Sequence, residues 1–192
     1  MQIIMLAAAA AAIAPPAWLY PQNMAAEVPA TAQAPISVKG SRVTVDAAVL
    51  HDRAQAVNWF PQDQPPPPPR VLKAKAGEFA CAYCHMPNGV GHPQNVSIAG
   101  LSDDYVVAQF AAFRSGQRKA AQPGYIPNNS MTRVAGQVSE AEVAELAAYY
   151  SKLPYRSLIR VREVAMAPKV RAVGLVWERV PGPAEPIAGR IV

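Results

Sequence analysis

The residues Cys81-Ala82-Tyr83-Cys84-His85 constrain this chain more than any other feature of its sequence. They contain both of its cysteines, so no disulfide framework can hold the fold together. Two cysteines separated by two residues and followed directly by histidine are typical of haem attachment, in which the sulfurs form thioether bonds and the imidazole binds iron. The motif predicts one covalently bound haem c, attached at Cys81 and Cys84, with His85 as an iron ligand.

Three other uses of such a cysteine pair compete with haem attachment. A thioredoxin-like dithiol follows a strand and opens a helix, whereas the sequence predicts that this motif closes a helix. A structural zinc site needs four ligands, and the spare histidines, His51 and His92, lie in proline-rich irregular sequence. A short-loop disulfide leaves the adjacent histidine without a role. Haem attachment is therefore the favoured interpretation.

Composition divides the chain into four predicted segments. Residues 1–17 are an apolar signal peptide, and residues 18–70 are an extension rich in alanine and proline that ends in a stiff polyproline spacer. Residues 71–155 form the haem domain. Residues 156–192 form a basic extension with strand-like alternation, and we expect the last strand to be cut short at Val192.

The apolar start of the chain also predicts where the protein works. Residues 1–14 contain too few apolar residues to span a bilayer core, which needs about 20. They suit the hydrophobic region of a secretory signal, and an uncleaved anchor is the alternative. We therefore expect an exported, periplasmic protein, with membrane association as the second hypothesis.

Helical periodicity is confined to the predicted haem domain. The first helix is predicted over Val71–Cys84, so that it ends at the motif. The second follows the N-cap Ser102, and the third follows Ser139, which forms a capping box with Glu142. The residues predicted to be buried are Val106, Phe110 and Phe113 on the second helix, and Val143, Leu146, Ala147 and Tyr150 on the third.

A haem iron held by His85 takes a further ligand from elsewhere in the chain. The candidates are Met131, His92, Met86, Met166 and His51. Met86 follows His85 directly and cannot reach the opposite face, and a methionine in a strand-like tail such as Met166 is usually core filler. Met131 is predicted to lie in a loop rich in proline and asparagine, eight residues before Ser139, where it can cross the distal face. Met131 is the predicted ligand and His92 an alternative.

The order of these features resembles the small bacterial class I c-type cytochromes. The resemblance covers residues 71–155 and rests on the motif with Phe79-Ala80 before it, residues 98–101, residues 112–116, Met131 and residues 139–150. It implies an all-α class I cytochrome c fold of three to four helices around one haem. The proline-rich N-terminal extension and the short β-rich C-terminal extension lie outside the common fold.

The resemblance also implies roles for individual residues. It makes His85 and Met131 the axial iron ligands and packs the first helix against the last. Family members often have a proline whose backbone carbonyl accepts the proximal histidine N–H. In this chain Val96 stands near that place, and its carbonyl can accept the same bond.

These features predict an electron-transfer protein rather than an enzyme. Histidine and methionine together saturate the iron and raise its potential, so the haem exchanges electrons without binding substrate. The expected partners are redox proteins, with a donor dehydrogenase or respiratory complex on one side. A haem-bearing subunit of a membrane-associated dehydrogenase or oxidase complex is the first alternative. A peroxidase or gas sensor would need an open distal site, for which His92 is the plausible side chain.

The net charge of +5 is concentrated in the C-terminal extension. Residues 156–192 contain seven basic and three acidic side chains, whereas the rest of the chain is nearly neutral. This asymmetry predicts a docking surface for an acidic partner, against the alternative of an ordinary solvated surface. Nucleic acid is not an expected partner, because the basic residues alternate with valine and isoleucine instead of forming dense runs.

The motif yields a direct chemical test. We expect the haem to stay with the polypeptide in denaturing electrophoresis followed by peroxidase-type haem staining, because thioether bonds survive unfolding. Haem that is extracted by acidified acetone would contradict covalent attachment at Cys81 and Cys84.

Overall fold

The computed structural model describes residues 35–92, 95–121, 124–157, 160–173 and 176–187, and the predicted signal peptide lies outside these ranges. The described residues form six α-helices and one short 3-10 helix. No helix among them combines the length and the hydrophobicity needed to cross a membrane. The helices are α1 (Ala47–His51), α2 (Pro69–Leu72), α3 (Cys81–His85), α4 (Asp103–Arg114), α5 (Ile126–Gln137) and α6 (Glu140–Ser151), and the 3-10 helix is Pro61–Asp63.

The three twelve-residue helices build the core of the molecule. Helix α4 packs against both α5 and α6, and its apolar face is buried as predicted. The predicted stripe on α6 is also confirmed, because Val143, Leu146, Ala147 and Tyr150 are at most 2% exposed. The predicted fold class, a mainly helical domain flanked by short β elements, is therefore confirmed.

Two helix starts follow the local capping signals. The Ser102 hydroxyl accepts a hydrogen bond from the Tyr105 backbone N–H at 3.3 Å. At α6 the Ser139 hydroxyl accepts from the Glu142 N–H, and the Glu142 carboxylate accepts from the Ser139 N–H at 2.8 Å. Each cap satisfies N–H groups that have no partner inside the helix, which fixes where the helix begins.

The predicted first helix, Val71–Cys84, is wrong. Helix α2 ends at Leu72, Lys73 is extended, and Gly77 has a φ of +83°, which no helical residue adopts. A new helix then begins at Cys81, so the motif opens a helix instead of closing one. The position of the motif in its helix therefore does not distinguish it from a thioredoxin-like dithiol.

Backbone pairing with the N-terminal extension explains this break. The Ala56 N–H donates to the Leu72 carbonyl at 2.9 Å, and the Ala74 N–H donates to the Ala54 carbonyl at 2.8 Å. A further bond joins the Ala80 N–H to the Arg53 carbonyl at 2.9 Å. These bonds hold the chain extended before the motif. They join residues on both sides of residue 70, where the extension was predicted to end and the haem domain to begin. That domain boundary stays a prediction.

The segments outside the helices form small antiparallel sheets. Near the start of the described chain, β1 (Ile36–Ser37) pairs with β2 (Thr44–Val45). In the C-terminal extension β3 (Met166–Ala167) pairs with β6 (Glu185–Pro186), and β4 (Val170–Val173) pairs with β5 (Val176–Arg179). The predicted strand character of this extension is confirmed, while the strand expected at its end lies beyond the described residues.

The capping box at α6 gives a stability prediction. We expect Ser139→Ala to lower the free energy of unfolding by about 1 kcal/mol. The Glu142 N–H loses its hydrogen-bond acceptor, the Ser139 hydroxyl, and the capping box is broken. Denaturant unfolding followed by circular dichroism measures the change. Ser130→Ala, inside α5, is the matched control and should be neutral or slightly stabilising. Equal effects of the two substitutions would contradict the role of the cap.

Candidate functional site

A cavity of about 210 Å³ lies among α3, α4, α5 and α6. It brings together four residues that the sequence singled out, Cys81, Cys84, His85 and Met131. Most of the remaining lining is apolar, so the cavity suits a flat hydrophobic group. The other lining residues are Phe79, Ala80, Val96, Ser97, Ile98, Leu101, Tyr105, Val106, Gln109, Phe110, Phe113, Arg118, Val134, Leu146 and Tyr150.

The two cysteines stand on one face of a single helical turn. Helix α3 has five residues, and a spacing of three places Cys81 and Cys84 side by side. Both are free thiols and partly buried. Burial raises the pKa of Cys81 to about 12, against an opposing effect of Arg70, and raises the pKa of Cys84 to about 11. The thiols are therefore uncharged at neutral pH in this apolar setting.

His85 is held in a defined tautomer by the loop that follows it. Its Nδ1 lies 3.1 Å from the Val96 carbonyl oxygen. Because a carbonyl can only accept, Nδ1 must carry the proton and donate it. Burial lowers the pKa of His85, which favours the neutral ring. Nε2 then keeps its lone pair for a metal, and Val96 fills the place expected from the resemblance.

The loop after the motif turns back in very little space. The Gly91 N–H donates to the His85 carbonyl at 3.0 Å, and Gly91 has a φ of +82°. A Cβ built on Gly91 would lie 2.3 Å from the Asn95 carbonyl oxygen and 2.9 Å from that of Val96. The amino-acid pattern alone does not distinguish Gly91 from the other glycines of this loop, so its role was missed. Only glycine allows the close approach that brings Val96 to His85.

Met131 lines the cavity from a helix, so the predicted loop location is wrong. Helix α5 runs over Ile126–Gln137, with Pro127 in its first turn. Proline is favoured at that position, because the first N–H groups of a helix have no partner. Val134 and Ala135, on the same helix, are buried in the core. Packing of this face keeps α5 helical despite its adjacent asparagines.

The other candidate ligands do not reach the cavity. Met166 lies in β3 and is 49% exposed, and His51 is exposed at the end of α1. Met86 follows the motif with a φ of +62°, and His92 is partly buried in the following loop. None of these four is among the lining residues. Of the described histidines and methionines, His85 and Met131 are the pair that the fold brings to one cavity.

Arg114 holds α5 in place beside α4 and α6. Its Nε donates to the Ala135 carbonyl at 2.7 Å, and another guanidinium nitrogen donates to the Val138 carbonyl. The side chain also forms an ion pair with Glu140. One arginine therefore satisfies carbonyls at the end of α5 and reaches the start of α6, which fixes the helix that carries Met131.

Sequence reasoning missed Arg118, and it predicted Tyr150 only as a buried residue and not as part of the cavity lining. Arg118 donates a hydrogen bond to Gln109, and its guanidinium carbon lies 5.0 Å from the centroid of the Phe113 ring. Tyr150 has a buried hydroxyl with no hydrogen-bond partner among the described residues. Arg118 follows the Ser115-Gly116 turn, and that turn was the available signal that the chain folds back towards α4.

These groups fit a haem. The macrocycle is flat and apolar, as is most of the lining, and the two thiols match its two vinyl groups. Its carboxylates need a cation, and Arg118 is a cation at the cavity wall. Imidazole and thioether are the axial donors typical of electron-transfer cytochromes.

Comparisons with known proteins give the same assignment. The sequence model of the cytochrome c family matches residues 73–154. Cytochrome c-554(548) from Halomonas halodenitrificans is 35% identical over 82 residues, which are 41% of this chain and 93% of that protein. Cytochrome c4 from Thiocapsa roseopersicina is 35% identical over 91 residues, 45% of this chain and 43% of that protein.

A third relative is named for its function. The thiosulfate dehydrogenase electron acceptor from Thiomonas intermedia is 36% identical over 76 residues. The match covers 38% of this chain and 31% of that protein. The chain thus spans nearly all of one relative and less than half of the other two.

This chain belongs to the cytochrome c family, whose members are typically electron carriers. Its single Cys-x-x-Cys-His motif supports one covalently bound haem c as the cofactor. The resemblance to class I c-type cytochromes is thereby confirmed for the helical domain.

The tight loop predicts that a substitution of Gly91 affects both the stability of the protein and the haem reduction potential. We expect Gly91→Ala to displace the Asn95–Val96 backbone, weaken the bond to His85 and shift the haem reduction potential. Gly77→Ala is the matched control, because Gly77 also has a positive φ but no atom lies within 4 Å of an added Cβ. Both variants should lose about 1 kcal/mol from backbone strain. Only Gly91→Ala should lose more and change the potential in voltammetry, and equal behaviour would contradict this role.

Proposed function

We propose that this chain is a periplasmic mono-haem cytochrome that carries single electrons between a dehydrogenase or respiratory complex and an acceptor. The observation that supports this most is the convergence of two thiols, one imidazole and one thioether on a single apolar cavity. A carrier needs an iron site that changes oxidation state without exchanging ligands. A site enclosed by protein donors meets that need.

In this proposal each residue of the motif has a separate task. Cys81 and Cys84 form the thioether bonds, so the cofactor cannot be lost when a partner is released. His85 supplies Nε2 to the iron, and its bond to Val96 fixes the plane of the ring. Bound haem supplies the one-electron chemistry, which the protein tunes through ligand identity and burial.

Met131 is the proposed second axial ligand. The thioether is a weak donor without acid–base chemistry, so it favours ferrous iron and raises the potential. Its placement on α5, held by Arg114, keeps the sulfur at the cavity wall. The buried side chains of α4 and α6 around it exclude water, which reduces the solvent rearrangement that accompanies a change of iron charge.

Arg118 is proposed to face the haem carboxylates. Its hydrogen bond to Gln109 and its contact with Phe113 hold the guanidinium in one orientation. A fixed arginine can bind a carboxylate through two parallel N–H groups.

The donor is proposed to be a dehydrogenase. One relative is by name the electron acceptor of thiosulfate dehydrogenase, although the match covers less than a third of that relative. A dehydrogenase that passes electrons singly to a soluble haem protein is consistent with a saturated iron site.

The haem-bearing subunit of a larger complex is the second candidate, because the C-terminal extension has exposed apolar side chains. Val161 is 84% exposed and Val164 is 40% exposed, close in sequence to the exposed Arg160 and Arg162. Such a mixture of apolar and basic residues is suited to a partner surface. Co-purification with a membrane complex in mild detergent would support this candidate over a free carrier.

Substitution of Met131 tests the proposed ligation. The oxidised protein should show the weak near-infrared charge-transfer band of thioether-ligated haem iron. Met131→Ala should abolish the band, open the iron to carbon monoxide and lower the potential by on the order of 100 mV, a fraction of the roughly 0.8 V range that axial ligands control. Covalent attachment should survive in this variant, as haem staining would show.

Met166→Ala is the matched control, since Met166 is exposed in β3 and outside the cavity. It should leave the band and the potential unchanged. Loss of the band in Met166→Ala, with the band retained in Met131→Ala, would show that the wrong methionine was assigned. A native protein without the band whose spectrum changes in His92→Ala would instead indicate ligation by two histidines.

A further inference from the structure

We propose that Arg53 and Arg133 form a docking site for carboxylates of an acidic electron-transfer protein, beside the cysteine edge of the haem cavity. The inference rests on the proposed function, because it concerns how a redox partner approaches that cavity. The guanidinium carbon of Arg53 lies 5.6 Å from the centroid of the Phe79 ring, and that of Arg133 lies 4.9 Å from it. Phe79 lines the cavity two residues before Cys81.

The two arginines come from distant parts of the chain and are both held by the fold. Arg53 belongs to the N-terminal extension, and its carbonyl accepts the Ala80 N–H at 2.9 Å. Arg133 lies on α5, two residues after Met131. The extension and the ligand-bearing helix therefore place one cation each at the same aromatic ring.

Neither guanidinium forms an ion pair within the described part of the chain. The ion pairs found there are Arg70–Glu78 and Arg114–Glu140. The Glu142 carboxylate, which is electrostatically coupled to Cys81, is engaged by the Ser139 N–H and hydroxyl. The Asp52 carboxylate, next to Arg53 in the sequence, accepts from the Ala54 N–H and from the Gln55 side chain. Among the described residues no carboxylate forms an ion pair with Arg53 or Arg133, so their charges remain available to a partner.

The arrangement presents charge outward and covers the ring. Both arginines are exposed, whereas Phe79 is only 8% exposed, which is consistent with guanidinium groups lying over its faces. A guanidinium stacked over a ring keeps its N–H groups free to donate to a carboxylate that lies in the plane of the guanidinium. A partner would meet two cations and not an apolar patch.

The location suits electron exchange. Cys81 and Cys84 are partly buried, and Arg53 acts electrostatically on the Cys84 thiol, so the pair stands close to the attached edge of the cofactor. A partner bound there is within a few side chains of that edge. One electron passes in each encounter, and the partner gains or loses the electron that the haem site loses or gains.

Oxidation of the reduced protein by two small complexes of opposite charge tests the proposal. The probes are hexacyanoferrate(III), a trianion, and tris(phenanthroline)cobalt(III), a trication. The Arg53→Gln/Arg133→Gln double variant is compared with Arg42→Gln/Lys152→Gln, which removes the same total charge from two exposed basic residues that do not contact Phe79 and lie outside the basic C-terminal extension. Stopped-flow rates are measured at about 10 mM ionic strength, where the Debye length is about 30 Å.

We expect the Arg53/Arg133 double variant to lose about tenfold in rate with the trianion and to gain a similar factor with the trication, from Coulomb's law for charges about 10 Å apart. A change in haem potential would move both rates in the same direction, so the ratio of the two rates isolates the docking term. The control variant should change this ratio by less than about twofold. At 1 M salt, where the Debye length is about 3 Å, the differences should disappear.

Three outcomes would overturn the proposal. An equal change of the ratio in both double variants would show that total charge acts, and not this pair. An unchanged ratio would show that electrons leave by another edge. Unchanged rates together with lost binding to phosphatidylglycerol vesicles would assign the pair to a membrane. If neither probe oxidised the wild-type protein, the carrier function itself would fail, which is a different result from these three.

Discussion

The five-residue helix α3 carries the chemistry of this protein and cannot hold its shape alone. Isolated helices shorter than about 12 residues are marginal in water, and this one has no side-chain cap. Its support is tertiary. The Ala80 N–H before it is bonded to Arg53, the His85 carbonyl at its end accepts from Gly91, and Ala82 is buried in the core. The rest of the structure can be understood as the scaffold that fixes this one turn.

The scaffold reaches α3 from both directions of the chain. On the N-terminal side, residues 53–56 pair with residues 72–80 and hold the approach to the motif extended. On the C-terminal side, the Tyr149 hydroxyl donates to the Pro87 carbonyl at 2.9 Å and ties α6 to the loop after His85. The capped helix α6 therefore positions the motif through a buried face and a hydrogen bond. The extension before residue 70 contributes to the same task, although its composition suggested a spacer.

The sequence predicted those parts of the fold that depend on local signals. The starts of α4 and α6 follow serine caps, and their buried faces follow helical periodicity, so both were predictable. The helix expected over Val71–Cys84 failed because the competing interaction comes from residues 53–56, far away along the chain. The loop predicted around Met131 rested on the proline and asparagine content of that stretch. Tertiary packing of Val134 and Ala135 decided that case.

The same limit applies to the candidate site. The haem motif could be recognised in the sequence because thioether attachment requires a fixed spacing of the two cysteines. The positions of Arg118, Gly91 and the Arg53–Phe79–Arg133 cluster instead depend on contacts between separate segments of the chain. Their chemistry is nevertheless coherent. The interior of the site is apolar and its thiols are uncharged, while the exposed Arg53 and Arg133 contact the lining residue Phe79. A low-dielectric interior favours the less charged, reduced iron, and rim cations attract an acidic partner without entering that interior. In the proposed function, different residues would therefore set the potential and the partner recognition, so each could change without the other.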